Sequence, residues 1–133
     1  MTHSSRRFAT RFVAALLATG LLAAALATSA TADVASNKRY AKAYMPTLGF
    51  DPATQFPCLE QLWNRVSGWN ETYSGPDGSY GIPGANPGSN MESEGADWRT
   101  NPTTQIRWGL KYIKARYGTP CAAWQYYQDR GWY

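Results

Sequence analysis

Apolar positions in residues 58–68, CLEQLWNRVSG, fall at Leu59, Leu62, Trp63 and Val66. The spacing i, i+3, i+4, i+7 predicts one buried face of an α-helix. Pro57 suits its first position and Gly68 the residue just past its end. A longer stripe follows at Ile106, Leu110, Ile113 and Tyr117, with Asn101 as N-cap, Pro102 at the first position and Gly118 as the stop. Arg107, Lys111 and Lys114 then point outward. Trp108 and Tyr112, four apart, make a flanking stripe that is either core packing or the aromatic edge of a groove. Thr119-Pro120 opens another helix running to about Asp129, with Cys121, Trp124 and Tyr127 or Gln128 facing inward and Gly131 after it. Residues 36–46 predict a shorter helix, capped by Ser36 and ended by Pro46, with Tyr40 and Tyr44 on one face. Residues 69–91 are rich in Gly, Pro and Asn and predict a long loop carrying Tyr73 and Tyr80, with a small hairpin within 72–83. Asp97, Trp98 and Arg99 are expected to lock a corner as a buried acid–arginine pair under an indole. No internal repeat or β-rich segment is present, so the chain reads as mainly α.

The beginning of the chain changes the picture of its charge. Residues 1–11 hold three arginines and no acidic group, residues 12–27 are apolar, and Ala30-Thr31-Ala32 is a small-x-small site. That order predicts a secretory signal peptide over 1–32. A membrane anchor is the rival reading, but an apolar run of 16 residues is short for a bilayer. Without residues 1–32 the net charge falls from +4 to +1, with 10 basic and 9 acidic side chains left. The basic balance therefore gives no support to nucleic-acid binding. The expected organisation is a lead-in over 33–55 followed by one domain over 56–133, monomeric and free of the membrane once the signal is removed.

Cys58 and Cys121 are the only two cysteines. In an exported chain a disulfide is the default, and it would tie the first core helix to the last. A reactive thiol is the alternative, with no histidine or CxxC context to activate it. The one histidine, His3, lies in the expected signal. A histidine-free domain builds neither a Ser-His-Asp or Cys-His site nor a typical zinc site. No phosphate-binding glycine motif occurs, so no cofactor and no metal are expected.

With the segments laid out, Leu62-Trp63-Asn64-Arg65, Ser67-Gly68-Trp69, Tyr80-Gly81-Ile82-Pro83, Pro87-Gly88-Ser89, Gly95-Ala96-Asp97-Trp98 and Gln105-Ile106-Arg107-Trp108-Gly109-Leu110 stand in a recognisable order. Arg116-Tyr117-Gly118 and Gly131-Trp132-Tyr133 continue it. The chain resembles small secreted lytic transglycosylase-like proteins of actinobacteria, relatives of the soluble lytic transglycosylases in the lysozyme-like superfamily. The resemblance spans nearly all of residues 56–133. It implies a lysozyme-like helical domain that binds peptidoglycan and cleaves between N-acetylmuramic acid and N-acetylglucosamine. One glutamic acid there protonates the leaving oxygen and then serves as base while an anhydro ring closes, which needs a carboxyl of raised pKa in a partly apolar cleft.

The resemblance puts that glutamic acid at Val66, within Val66-Ser67-Gly68-Trp69. A second departure follows, because the Gln expected after Gly-Ile-Pro is Gly84. Glu71, five residues on, is the candidate substitute and is expected at the cleft mouth. Glu60 faces away from Val66 around the helix. Loss of a general acid typically lowers a rate about 100- to 10,000-fold. The expected sugar contacts are Trp69, Tyr73, Tyr80, Trp108 and Tyr112, with Ser67 and Gly81 beside them, since aromatic faces stack on pyranose rings. The leading expectation is a secreted, peptidoglycan-engaging, catalytically impaired domain of the cell wall. Its rivals are an active muralytic enzyme using Glu71 and a structural or partner-binding secreted protein.

Overall fold

Three helices begin on the same local device, a side-chain oxygen followed at once by proline. In the computed structural model, which describes residues 33–133, Asp51 Oδ1 accepts from Ala53 N–H at 3.0 Å, Asn101 Oδ1 from Thr103 N–H at 3.0 Å and Thr119 Oγ1 from Ala122 N–H at 3.2 Å. Each oxygen satisfies a helix-start donor, and the proline that follows has no N–H to strand. The helices so started are α2 (Pro52–Val66), α3 (Pro102–Tyr117) and α4 (Pro120–Arg130). Helix α1 spans residues 33–44 and tightens into a 3-10 turn, Met45–Leu48; a second 3-10 segment, Gly88–Ser93, precedes α3. The signal peptide expected over 1–32 lies outside the described residues.

Two helix boundaries differ from expectation. Ser36 lies inside α1, where its hydroxyl accepts from the Arg39 guanidinium at 2.9 Å instead of capping. Helix α2 starts at Pro52, so Pro57 sits within it. Asp51-Pro52 supplies the same start signal one and a half turns earlier, and Pro57 is exposed, where the carbonyl it leaves unpaired can be hydrated.

The core joins Leu59, Leu62 and Trp63 of α2 to Ile106, Leu110 and Ile113 of α3, with Ala123 of α4 and Ala41 and Met45 from the first helical stretch. Helix α4 packs on both α2 and α3. A smaller cluster of Ala85, Met91 and Trp98 lies under the connection into α3. That connection has no strand among the described residues; two isolated antiparallel bridges, Ser74 to Tyr80 and Tyr80 to Ala85, stand where a hairpin was expected. Asp97 does not pair with Arg99. Its carboxylate accepts from Asn101 Nδ2 at 2.6 Å and Thr104 Oγ1 at 2.7 Å, while the Arg99 guanidinium lies 4.6 Å over the Trp98 ring. No helix of the described residues is long and apolar enough to cross a membrane.

The molecule is mainly helical with one disulfide, Cys58–Cys121, joining α2 to α4 across 63 residues. A closed loop of that length contributes about 4 kcal/mol in the chain-entropy account. The Cys58→Ala, Cys121→Ala double variant is expected to lose on the order of 20 °C in thermal midpoint, read by circular dichroism. A loss of only a few degrees would mean that core packing alone holds α4.

Candidate functional site

Helix α2 ends at Val66, and the chain turns through Ser67, Gly68 and Trp69. Trp69 adopts a left-handed backbone, φ 61°, which for a bulky residue costs about 1–3 kcal/mol. The surroundings hold it there. Its indole is fully buried, edge-on to Trp63 with centroids 5.0 Å apart, and its carbonyl accepts from buried Asn37 Nδ2 at 3.2 Å. Ser67 Oγ donates to the Ile82 carbonyl at 2.7 Å and accepts from Trp69 N–H at 3.2 Å.

The connection beyond this turn is anchored by Gln105 of α3, which is fully buried. Its Oε1 accepts from Ile82 N–H at 2.9 Å, and its Nε2 donates to the carbonyls of Glu71 at 2.9 Å and Trp98 at 2.7 Å. Gly81, φ 75°, passes so close that an added Cβ would stand 2.6 Å from Gln105 Oε1. One amide thus pins the connecting chain at three backbone points.

The pinned chain and α3 enclose a groove of about 640 Å³. Its lining includes Val66, Pro83 and Gly84. Along α3, Trp108 and Tyr112 stack on each other, rings 5.1 Å apart and 12° from parallel, and line the groove together with Arg116. Polar side chains of the connection, Tyr73, Asp77, Ser79, Asn86 and Asn90, also line it. Trp132 and Tyr133 line it as well. Tyr133 Oη accepts from Trp63 Nε1–H at 2.8 Å and donates to the Pro83 carbonyl at 2.6 Å, and burial pushes its pKa up.

The two departures at Val66 and Gly84 meet in space. Gly84 has φ 66°, and a Cβ added there would lie 2.6 Å from Val66 Cγ1. The loop backbone therefore closes directly over the valine, and the seat expected for an acid is a hydrocarbon contact.

The structure brings Tyr73, Trp108, Tyr112 and Val66 together in the groove. It does not bring the others. Trp69 is in the core and has no face to offer a ligand. Ser67 and Gly81 are committed to backbone and to Gln105. Tyr80 turns away, its ring edge-on to Trp98 at 5.5 Å and its hydroxyl donating to the Arg99 carbonyl at 2.7 Å. Glu71 is not at the groove; it lines a separate hollow of about 510 Å³ with Asp33, Asn37 and Tyr40. The reason is Gln105, which holds the Glu71 carbonyl and so carries that residue to the α1 side. Of the remaining carboxylates, Glu60 pairs with Lys38 at 3.2 Å and Glu94 with Arg107 and Lys111 at 3.2 and 2.8 Å.

Asp77 is the carboxylate that lines the groove. It is fully exposed and accepts from Ser79 Oγ at 2.7 Å and Ser79 N–H at 3.1 Å, and these bonds hold its pKa below the usual carboxylate range. At neutral pH it is ionised, so it can accept a proton or attract a cation but has no proton to give. Sequence reasoning gave no role to Gln105 or to the groove's arginines, and it left Asp77, with Glu92 and Glu94, as a loop carboxylate of unplaced reach. Arg116 was within reach, since it continues the four-residue spacing of Trp108 and Tyr112.

Among the described residues no group of three or more His, Cys, Asp or Glu could hold a metal ion. No family model, curated protein or solved structure matches the chain.

Removing the Gln105 amide leaves one N–H and two carbonyls without partners. Gln105→Ala is expected to cost about 3 kcal/mol in urea unfolding. Gln105→Glu keeps the acceptor for Ile82 but removes both donors, and is expected to cost a similar amount. A loss under about 1 kcal/mol in both would show that water replaces the amide and that the anchor is dispensable.

Proposed function

We propose that this is a secreted, lysozyme-like domain that engages peptidoglycan glycan strands and does not cleave them, because Val66 occupies the position of the general acid. The observation that carries the reading is the groove: the stacked pair Trp108 and Tyr112, hydrogen-bonding side chains and Val66 line one cavity. Sugar rings offer one apolar face for stacking and equatorial hydroxyls for amides and carboxylates, which is what this lining supplies. The basic, apolar, small order of residues 1–32 and the Cys58–Cys121 disulfide support export to the wall.

An active enzyme needs a proton donor in the same groove. Glu71 lines the other hollow, and Asp77 is held ionised by Ser79. Neither matches a carboxyl kept protonated by an apolar setting. A partner-binding role without glycan remains the rival, and retention on the wall polymer separates the two.

Purified insoluble peptidoglycan is expected to retain the folded protein at low salt without releasing anhydromuramyl products detectable by mass spectrometry. Tyr112→Ala is expected to weaken retention about 3- to 10-fold through lost stacking. Anhydromuramyl products from the unaltered chain would overturn the impaired reading, and absence of retention would overturn the glycan reading in favour of a protein partner.

A further inference from the structure

Helix α3 places Trp108, Tyr112 and Arg116 four residues apart, so indole, phenol and guanidinium succeed one another along the groove. The Arg116 guanidinium lies over three rings, 6.0 Å from Tyr112, 5.5 Å from Tyr117 and 5.6 Å from Trp132. One N–H donates to Tyr112 Oη at 3.1 Å. Among the described residues no carboxylate pairs with it. Trp132, its outermost cover, is 53% exposed, a large apolar surface left at the mouth of the groove.

A guanidinium has five donors in a planar fork that matches a carboxylate, and aromatic faces fix that plane in advance. Arg116 is so fixed and only partly satisfied, and neutral hydroxyls are its partners. The second groove arginine, Arg65, has no such ring cover.

We propose that Arg116 binds a carboxylate carried by the glycan strand, so that the groove takes acidic glycan in preference to neutral glycan. The inference rests on the glycan reading of the groove and adds the chemical class of its ligand. Two carboxylate sources fit: the lactyl group of muramic acid stripped of its peptide, or an acidic residue of an attached peptide. A lactyl source would place the protein after an amidase-type reaction, which cleaves the amide between lactyl group and peptide and leaves the carboxylate.

The test is calorimetric titration of the folded chain at low salt with four soluble tetrasaccharides. One is neutral N-acetylglucosamine; the others alternate N-acetylglucosamine with muramic acid bearing free lactyl carboxylates, methylamides or peptides. An acidic oligomer is expected to bind about tenfold tighter than the neutral one. If the free-lactyl oligomer has the advantage and the methylamide loses it, the lactyl group is the source; if only the peptide-bearing oligomer has it, the peptide is. Arg116→Gln is expected to erase the advantage and leave the neutral oligomer within about twofold, and Arg116→Lys to restore part of it. Equal weakening of acidic and neutral oligomers by Arg116→Gln would reduce the arginine to a cover for its rings and overturn the proposal. No acidic advantage in the unaltered chain would also overturn it while leaving the glycan reading intact. Binding of no oligomer at all would overturn both.

Discussion

A single buried amide governs the non-helical part of this molecule. The stretch between α2 and α3 has two isolated bridges in place of strands, so its backbone groups need partners from elsewhere. Gln105 supplies them at Glu71, Ile82 and Trp98, with two donors for two carbonyls and one acceptor for one N–H. The match also sets the amide's orientation. Because Gln105 sits on the same helix as Trp108, Tyr112 and Arg116, the bond that shapes one wall of the groove also fixes it relative to the other. The Trp63–Tyr133–Pro83 chain of hydrogen bonds ties the connection at Pro83 to α2.

The chemistry of the groove follows from what those constraints place near Val66. Gly84 lets the backbone close to contact distance with the valine, while Ser79 turns the Asp77 carboxylate onto its own loop and keeps it charged. Glu60 and Glu94 are spent on ion pairs at the α1, α2 and α3 surfaces, and Asp51 and Asp97 on hydrogen bonds at helix starts. What remains is a cleft with stacking surface, hydrogen-bonding groups and charge, and without a protonated acid.

Helix existence was legible because caps are local. Asn101-Pro102 and Thr119-Pro120 marked α3 and α4 from the sequence, and the stripes of α2 and α3 named the buried residues. Where two local signals competed, sequence could not rank them: Asp51-Pro52 and Pro57 both start helices, and the earlier one, with its carboxylate cap, prevailed. Aromatic residues on the connection were the least legible. Trp69 and Tyr80 carry the same composition signal as Tyr73, yet the first is core, the second covers Trp98 and the third lines the groove. Their fates depend on Gln105 and Asn37, whose partners lie 7 to 34 and 32 residues away in sequence. No periodicity reports a contact of that kind.

The central claim is that Val66 leaves the proposed glycan groove without a proton donor. Val66→Glu supplies a carboxyl at that seat, and Val66→Gln matches its size without a titratable proton. With both variants folded by near-ultraviolet circular dichroism, the account predicts anhydromuramyl products from purified cell walls with Val66→Glu alone. A folded Val66→Glu protein that releases none, or a Val66→Gln protein that releases as much, would contradict it.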